Sequence, residues 1–439
     1  MSDPARFDAF EIRGSTVRYH FAWDGHTAVY RLQVLGADLL DPDPALAFRA
    51  GLGLAPYFFS FLTPERLEVK AGALSASERA QWERWYTLGL AEKSWRLGLE
   101  PGTQVGCTGA AEAVAAPAPP RSGPALLMNG GGKDTAVAAE LLRAAGVEFD
   151  WLAVNEKPAQ RGLREAGGGG PGLHVKGGWE KLPPVAAFRH QGMPPVLLFY
   201  DFAAALAAQM AGRGDVVLGN ERSADFGNLF YRGLDVNHQY TKSHAFEAEV
   251  AADLRRLSGG AVRLWSVLRP LYEVQIARAF AALPRYHALF MSCNAGQTGG
   301  RREWCGRCAK CAFAALILAP FLEDAAARAI FGRDFLDDAA LLPTFLEIAG
   351  LQGHKPFECV GQPEEALAAV QAWPEERPAP LAVREIRARV PEDRRRAAAR
   401  EILEAWGPWG LVPEELRERL GAAYRALRER APVAVADPR

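Results

Sequence analysis

Leu126-Leu-Met-Asn-Gly-Gly-Gly-Lys-Asp-Thr135, running straight into Ala136-Val-Ala-Ala-Glu-Leu-Leu-Arg-Ala-Ala145, decides how the rest of the chain reads. A short apolar run enters three consecutive glycines and leaves as a helix. Without a Cβ, glycine lets backbone approach a ligand closely. The free N–H groups and positive dipole end of the following helix favour an anion there. Lys133 adds a mobile cation, Asp134 can hold a metal or a donor, and Thr135 offers a hydroxyl at the helix start. Together with Asn129, Gly130, Gly131 and Gly132 they predict a nucleotide-phosphate site. The plainer alternative is a glycine-rich strand-to-helix turn without a ligand. The Walker pattern does not fit, because Asp134 follows the lysine and Leu127 stands where its first glycine should be.

Outward from this stretch, strands and helices alternate. Ala125–Met128, Phe149–Val154, Val216–Leu218 and Arg263–Ser266 read as strands. Thr135–Ala145, Val196–Met210 and Ser243–Arg256 read as helices. Such alternation predicts an α/β fold with a parallel sheet and a site at the carboxyl ends of its strands. Upstream, Thr16–Trp23 and Ala28–Val34 read as strands around Asp24-Gly25, and Ala45 to Leu97 reads mainly as helix. The aromatic residues Tyr57, Phe58, Phe59, Phe61, Trp82, Trp85 and Tyr86 read as core. The Pro/Ala-rich run Ala113–Pro124 reads as a linker. The expected organisation is an N-terminal hairpin and helical domain over 1–112, a linker over 113–124, a nucleotide-binding domain over 125–318 and a helical region over 319–439. Gly167 to Gly172 forms a loop that either closes over a ligand or is a passive insertion, and Val433–Arg439 is expected to fray.

Composition narrows the function classes. A chain of 439 residues with 49% hydrophobic and 23% charged residues is ordinary for a soluble protein of two or three domains. A net charge of −1 argues against a large nucleic-acid footprint. The sequence has no apolar run long enough to span a membrane and no signal-peptide pattern at its start, so a cytoplasmic enzyme is expected.

Trp304-Cys-Gly-Arg-Cys-Ala-Lys-Cys311 sets three thiols in a Cys-x-x-Cys-x-x-Cys array, with Cys293 twelve residues before Cys305. Cys293, Cys305, Cys308 and Cys311 can close a tetrahedral, structural Zn²⁺ site. An iron–sulfur cluster could use the same ligands, and buried unmetallated thiols are the plain alternative.

Gly130-Gly131-Gly132-Lys133-Asp134-Thr135 resembles the Ser-Gly-Gly-x-Asp-Ser/Thr loop of the PP-loop ATP pyrophosphatases (adenine nucleotide alpha hydrolase-like), departing from it only at Gly130. The resemblance implies that the loop holds the pyrophosphate end of ATP while a substrate oxygen attacks the α-phosphorus. A cysteine array after such a domain is similar to that of 7-cyano-7-deazaguanine synthase. An amidating or thiolating ligase acting on a nucleobase or tRNA is therefore the alternative reading, and a non-catalytic nucleotide-binding module is a third.

Further segments narrow the choice. Leu218-Gly-Asn-Glu-Arg-Ser-Ala-Asp225 follows a strand and brings Asn220, Glu221, Arg222 and Ser223 to the mouth of the sheet. Val236-Asn-His-Gln-Tyr-Thr-Lys-Ser-His-Ala-Phe-Glu247 crowds donors and acceptors before a helix, with Ser243 as N-cap and His238 and Lys242 near the site. With Gly353-His-Lys-Pro-Phe-Glu-Cys-Val-Gly361 and the aromatic-rich N-terminal region, these resemble the bacterial UDP-N-acetylmuramoyl-L-alanyl-L-glutamate epimerase family from about Phe7 to Val370. The resemblance implies inversion of an L-Glu on a nucleotide-linked dipeptide in peptidoglycan synthesis, with ATP and Mg²⁺ required. Converting the α-carboxylate to an acyl-adenylate would make its α-hydrogen acidic. Cys359, Glu221 and His238 are the candidate proton carriers, against a structural role for the thiol. Lys133 and Arg222 are assigned to phosphate and charge stabilisation.

Overall fold

The strand and helix signals after the linker build a parallel sheet, and the N-terminal strands extend it. The computed structural model describes residues 4–23, 25–59, 65–107, 123–168, 172–183, 194–296 and 303–431. Its strands are β1 (Ala5–Arg13), β2 (Thr16–Trp23), β3 (His26–Leu35), β4 (Arg66–Val69), β5 (Gln104–Cys107), β6 (Ala125–Met128), β7 (Phe149–Val154), β8 (Leu173–Lys181), β9 (Asp215–Leu218), β10 (Leu229–Tyr231), β11 (Leu234–Val236) and β12 (Arg263–Ser266). Ten of them form one sheet in the order β12-β9-β6-β7-β8-β3-β2-β1-β4-β5, and β10 and β11 form a separate hairpin. From β12 to β8 every pairing is parallel. β3 then joins β8 antiparallel, so the N-terminal strands share the sheet of the loop-bearing strands. The architecture is mixed α/β with a large, mostly parallel central sheet and a helical C-terminal region.

The helices that frame the site are α1 (Pro44–Phe59), α2 (Ala76–Gly89), α3 (Ala91–Leu97), α4 (Lys133–Ala144), α5 (Pro158–Ala166), α6 (Val196–Met210), α7 (His244–Leu257) and α8 (Glu273–Ala281). Strand alternation sends Leu127 and Val217 into one core, with α4, α8 and the C-terminal helices. Leu126, Val216 and Leu218 point into the other, with α1, α6 and α7. Trp82, Trp85 and Tyr86 belong to this second core, as their spacing suggested. Among the described residues, no helix is long and apolar enough to cross a membrane.

Two expectations shift. The helical reading of Ala45–Leu97 is interrupted by β4, which pairs in parallel with both β1 and β5. Only Leu67 and Val69 are buried in this four-residue strand, too short a period-two signal to stand out between helical neighbours. The loop helix starts at Lys133, two residues before the expected Thr135, so Lys133 and Asp134 lie in its first turn. Ser243 is the N-cap of α7 as expected, its hydroxyl accepting from the Phe246 N–H at 3.3 Å. Most of the linker, the middle of the Gly167–Gly172 loop and Val433–Arg439 lie outside the described residues.

Candidate active site

The glycine loop is shaped by its own side chains. Asn129 Nδ2 donates to the Gln160 carbonyl at 2.8 Å, and Gln160 Nε2 returns a bond to the Asn129 carbonyl at 2.6 Å. The Gly131 N–H donates to Asn129 Oδ1 at 3.0 Å, and the Gly130 N–H donates to Thr135 Oγ1 at 3.1 Å. These side chains therefore hold the turn in shape. Gly131 has φ +79°, and a Cβ there would come within 3.2 Å of Gln160, so glycine is required. At Gly130 a Cβ would meet only Thr135 Oγ1, at 3.7 Å, so the departure from serine is not steric. Gly132 is the N-cap of α4, whose first-turn N–H groups have no intrahelical partners.

Behind the loop lies a buried charge cluster. Lys133 Nζ donates to Asp134 Oδ1 at 2.7 Å and to Glu273 Oε2 at 2.5 Å. Burial opposes the lysine's charge, but Asp134 and Glu273 outweigh it and keep Lys133 protonated. Burial, together with repulsion from Glu221, Asp134 and Glu365, pushes Glu273 up to about 8 despite Lys133. Glu221 follows β9 and is 0% exposed, and neither carboxylate oxygen has a hydrogen-bond partner. Its ion-pair partner is Lys242, with Nζ at 3.9 Å. Burial raises the Glu221 carboxyl, favouring its protonated form. Lys355 is also buried, donates to the Phe226 carbonyl at 2.8 Å and is lowered to about 8, chiefly by desolvation. Asn220 instead donates to Glu247 at 3.2 Å, part of a structural network with Arg269.

The β10–β11 hairpin and its trailing loop are stitched to the segment carrying Cys359. Asn228 Nδ2 donates to the carbonyls of Lys355 and Pro356 at 3.1 and 2.9 Å, while its Oδ1 accepts from the His238 N–H at 2.8 Å. Gln239 Nε2 donates to the Val360 carbonyl at 3.1 Å. His238 thereby sits between Glu92, whose Oε2 is 2.6 Å from its Nδ1, and the Cys359 thiol, to which it also hydrogen-bonds. Burial opposes the charge of His238, but its bonds to Cys359 and Glu92 raise it to about 9. For Cys359, burial is outweighed by the charges of Lys242 and Lys310 and by His238, and the thiol falls well below its ordinary value. Both shifts favour a thiolate beside an imidazolium, with the Glu92 carboxylate against the ring. Lys242 acts electrostatically on both Glu221 and Cys359, which ties the two groups to one centre.

Arg222 is engaged elsewhere: its guanidinium lies 4.6 Å from the Tyr272 ring centroid, and its stem packs where a Cβ on Gly407 would fall. Sequence reasoning missed Glu273 and Glu92. Glu273 opens α8 after the turn that follows β12, the position where an open parallel sheet presents its site residues, so a signal existed. Glu92 lies among Lys93 and Arg96 on a short helix, where the sequence carries no signal for a site residue.

A family model described as the MurL N-terminal domain matches residues 50–267, and one described as the MurL C-terminal domain matches residues 289–401. The UDP-N-acetyl-alpha-D-muramoyl-L-alanyl-L-glutamate epimerase of Xanthomonas oryzae pv. oryzae is 36% identical over 322 residues, 71% of either chain. The protein of the same name from Micromonospora sp. is 34% identical over 373 residues, 81% of either chain. That from Salinispora tropica is 35% identical over 303 residues, 67% of this chain and 65% of the relative. The chain belongs to the MurL epimerase family. The two MurL models divide the centre between them. The glycine loop, Glu221, His238 and Lys242 fall in the N-terminal match, Lys355 and Cys359 in the C-terminal match, and Glu273 between.

Beside the loop, the four cysteine sulfurs all lie within 4.8 Å of one another. Cys308 and Cys311 are 3.5 Å apart, Cys305 and Cys311 3.7 Å, and Cys293 and Cys308 3.9 Å. Zinc–sulfur bonds of about 2.3 Å in a tetrahedron require similar sulfur separations, so the donor set fits zinc. Cys308 caps the helix Ala309–Leu318, whose N-terminal dipole favours thiolates. The cluster also supports the loop, because the Met291 N–H, two residues before Cys293, donates to the Gly131 carbonyl at 3.0 Å. Metal analysis is expected to find one zinc per chain. Cys311→Ser should lose it and melt roughly 5 to 10 °C lower. Iron with visible absorbance would assign the site to a cluster instead, and absence of both metals would remove it.

Proposed function

We propose that the chain inverts the terminal L-Glu of UDP-N-acetylmuramoyl-L-Ala-L-Glu to D-Glu, using ATP and releasing AMP and pyrophosphate. One observation carries the reading: a glycine loop backed by buried Lys133 adjoins both a thiolate–imidazolium pair and a buried carboxyl without a hydrogen-bond donor. A ligase needs the first feature but has no use for a proton acceptor and a proton donor at the same centre. The loop is of PP-loop ATP pyrophosphatase type, with the first-turn N–H groups of α4 and Lys133 receiving phosphate oxygens. Asp134, whose side chain is 27% exposed, is suited to hold a divalent cation that would neutralise phosphate charge.

The substrate carboxylate attacks the α-phosphorus of ATP, the bond to pyrophosphate breaks, and an acyl-adenylate forms. Its carbonyl no longer carries a full negative charge, so the α-hydrogen becomes removable. Cys359 thiolate takes that proton, forming S–H and leaving an enolate, whose charge Lys242 is positioned to offset. Glu221, whose carboxyl burial shifts towards the protonated form, returns a proton to the other face of Cα. Water then hydrolyses the acyl-adenylate to the D-Glu carboxylate and AMP. The Cys359 S–H then loses its proton to solvent, Glu221 regains one from solvent, and His238, held by Glu92, favours the thiolate for the next cycle.

The test is a reaction with UDP-N-acetylmuramoyl-L-Ala-L-Glu, ATP and Mg²⁺ in D₂O. AMP, pyrophosphate and D-Glu carrying deuterium at Cα are expected. AMP release without inversion or isotope uptake would leave the alternative, an adenylating ligase, which the cysteine array beside the loop also suits.

A further inference from the structure

On the far side of α5 from the glycine loop, a groove of about 740 Å³ runs along the projecting half of β8. β8 pairs with β7 only through Val175, so Lys176 to Lys181 extend past the end of β7, on the same carboxyl edge as the loop. β3 pairs along this extension, with Arg31 opposite Gly178. The groove floor at Gly178 is bare backbone: a Cβ there would meet nothing within 4 Å. Its charge is unbalanced. Glu156 is bonded by Arg161 at 3.1 Å and Arg164 at 3.2 Å. Glu180 is bonded by Arg18 at 2.8 Å and approached by Arg31 at 3.8 Å. Both carboxylates are thus already matched by arginines, and Lys176 and His174 line the groove in addition. Trp179 turns its ring to the other face of the sheet, edge-on against Tyr30 at 5.1 Å and Phe21 at 6.3 Å, so that Lys176, Gly178 and Glu180 face the groove.

We infer that this groove binds the diphosphate of the sugar-nucleotide substrate. Arginine forks and a lysine beside a bare backbone floor suit a diphosphate. The site rests on the proposed epimerase reading, in which two phosphorylated ligands must meet at one centre. ATP takes the glycine loop, and the second ligand needs its own cations. α5 is the partition between them: Gln160 grips Asn129 of the loop, and the next residue, Arg161, lines the groove.

The experiment is calorimetric titration of the whole protein with UDP, alongside steady-state kinetics of Lys176→Glu and Arg161→Glu. Both side chains are surface groups, and Lys176 is exposed, so folding should survive and is checked by thermal melting. UDP should bind wild type and Lys133→Ala alike, and each groove variant should weaken UDP at least tenfold. KM for the sugar nucleotide should rise by a similar factor with KM for ATP unchanged. Wild type that fails to bind UDP overturns the inference even if epimerisation is observed. Variants that raise KM for ATP alone assign the groove to ATP and also overturn it. UDP binding that is lost in the groove variants of a protein without epimerase activity would support the groove while removing the proposed reaction.

Discussion

Cys359→Ala is expected to cut D-Glu formation and α-deuterium uptake by roughly 10²- to 10⁴-fold, the usual weight of a positioned acid or base. Pyrophosphate release should continue, because the thiol takes no part in attack on ATP. The separation of these two readouts is the point: a thiol that only fills space would lower both or neither. The thiolate has an independent signature. Its charge is favoured by Lys242, Lys310 and His238 against burial, so iodoacetamide should alkylate Cys359 already near neutral pH. His238→Asn should slow that alkylation, because it removes the imidazolium. An alkylation rate that rises only near the ordinary thiol value of 9 would overturn the ion pair.

Lys133→Ala should lower AMP and pyrophosphate formation by roughly 10²- to 10³-fold, the loss typical of a preorganised charge facing a developing anion. It should also destabilise the fold, because Asp134 and Glu273 lose the cation between them. Removing one partner of a buried pair costs about 3 to 5 kcal/mol, and protonation of Glu273, already raised to about 8, should recover part of it. Lys133→Ala with Glu273→Gln separates the two effects. Thermal stability should return towards wild type while AMP formation stays low. Recovery of activity in the double variant would make Lys133 a structural counter-ion and remove it from catalysis.

Much of this was readable before any coordinates. The glycine loop, the strands Ala125–Met128 and Phe149–Val154 and the four-cysteine array are local patterns, and local patterns survive into the fold. What escaped is non-local. Glu92 meets His238 across 146 residues, and Glu273 meets Lys133 across 140. Neither pairing leaves a spacing in the sequence. The sharing of one sheet by the N-terminal strands was equally invisible, because β3 pairs with β8, a strand far from it in sequence. Arg222 carried a charge at the mouth of the sheet in sequence, yet its ring partner Tyr272 comes from a different turn.

The stitch between Asn228 and the carbonyls of Lys355 and Pro356 has a meaning in time as well as in space. A ribosome delivers the glycine loop and Glu221 more than a hundred residues before Cys359. Until that late segment arrives, Asn228 and Gln239 have no carbonyls to grip, and His238 has no thiol to ionise. A nascent chain would therefore hold its glycine loop in a half-built chamber. A much later stretch completes it, so the same bonds that align the thiol also tie the loop to a segment made long after it.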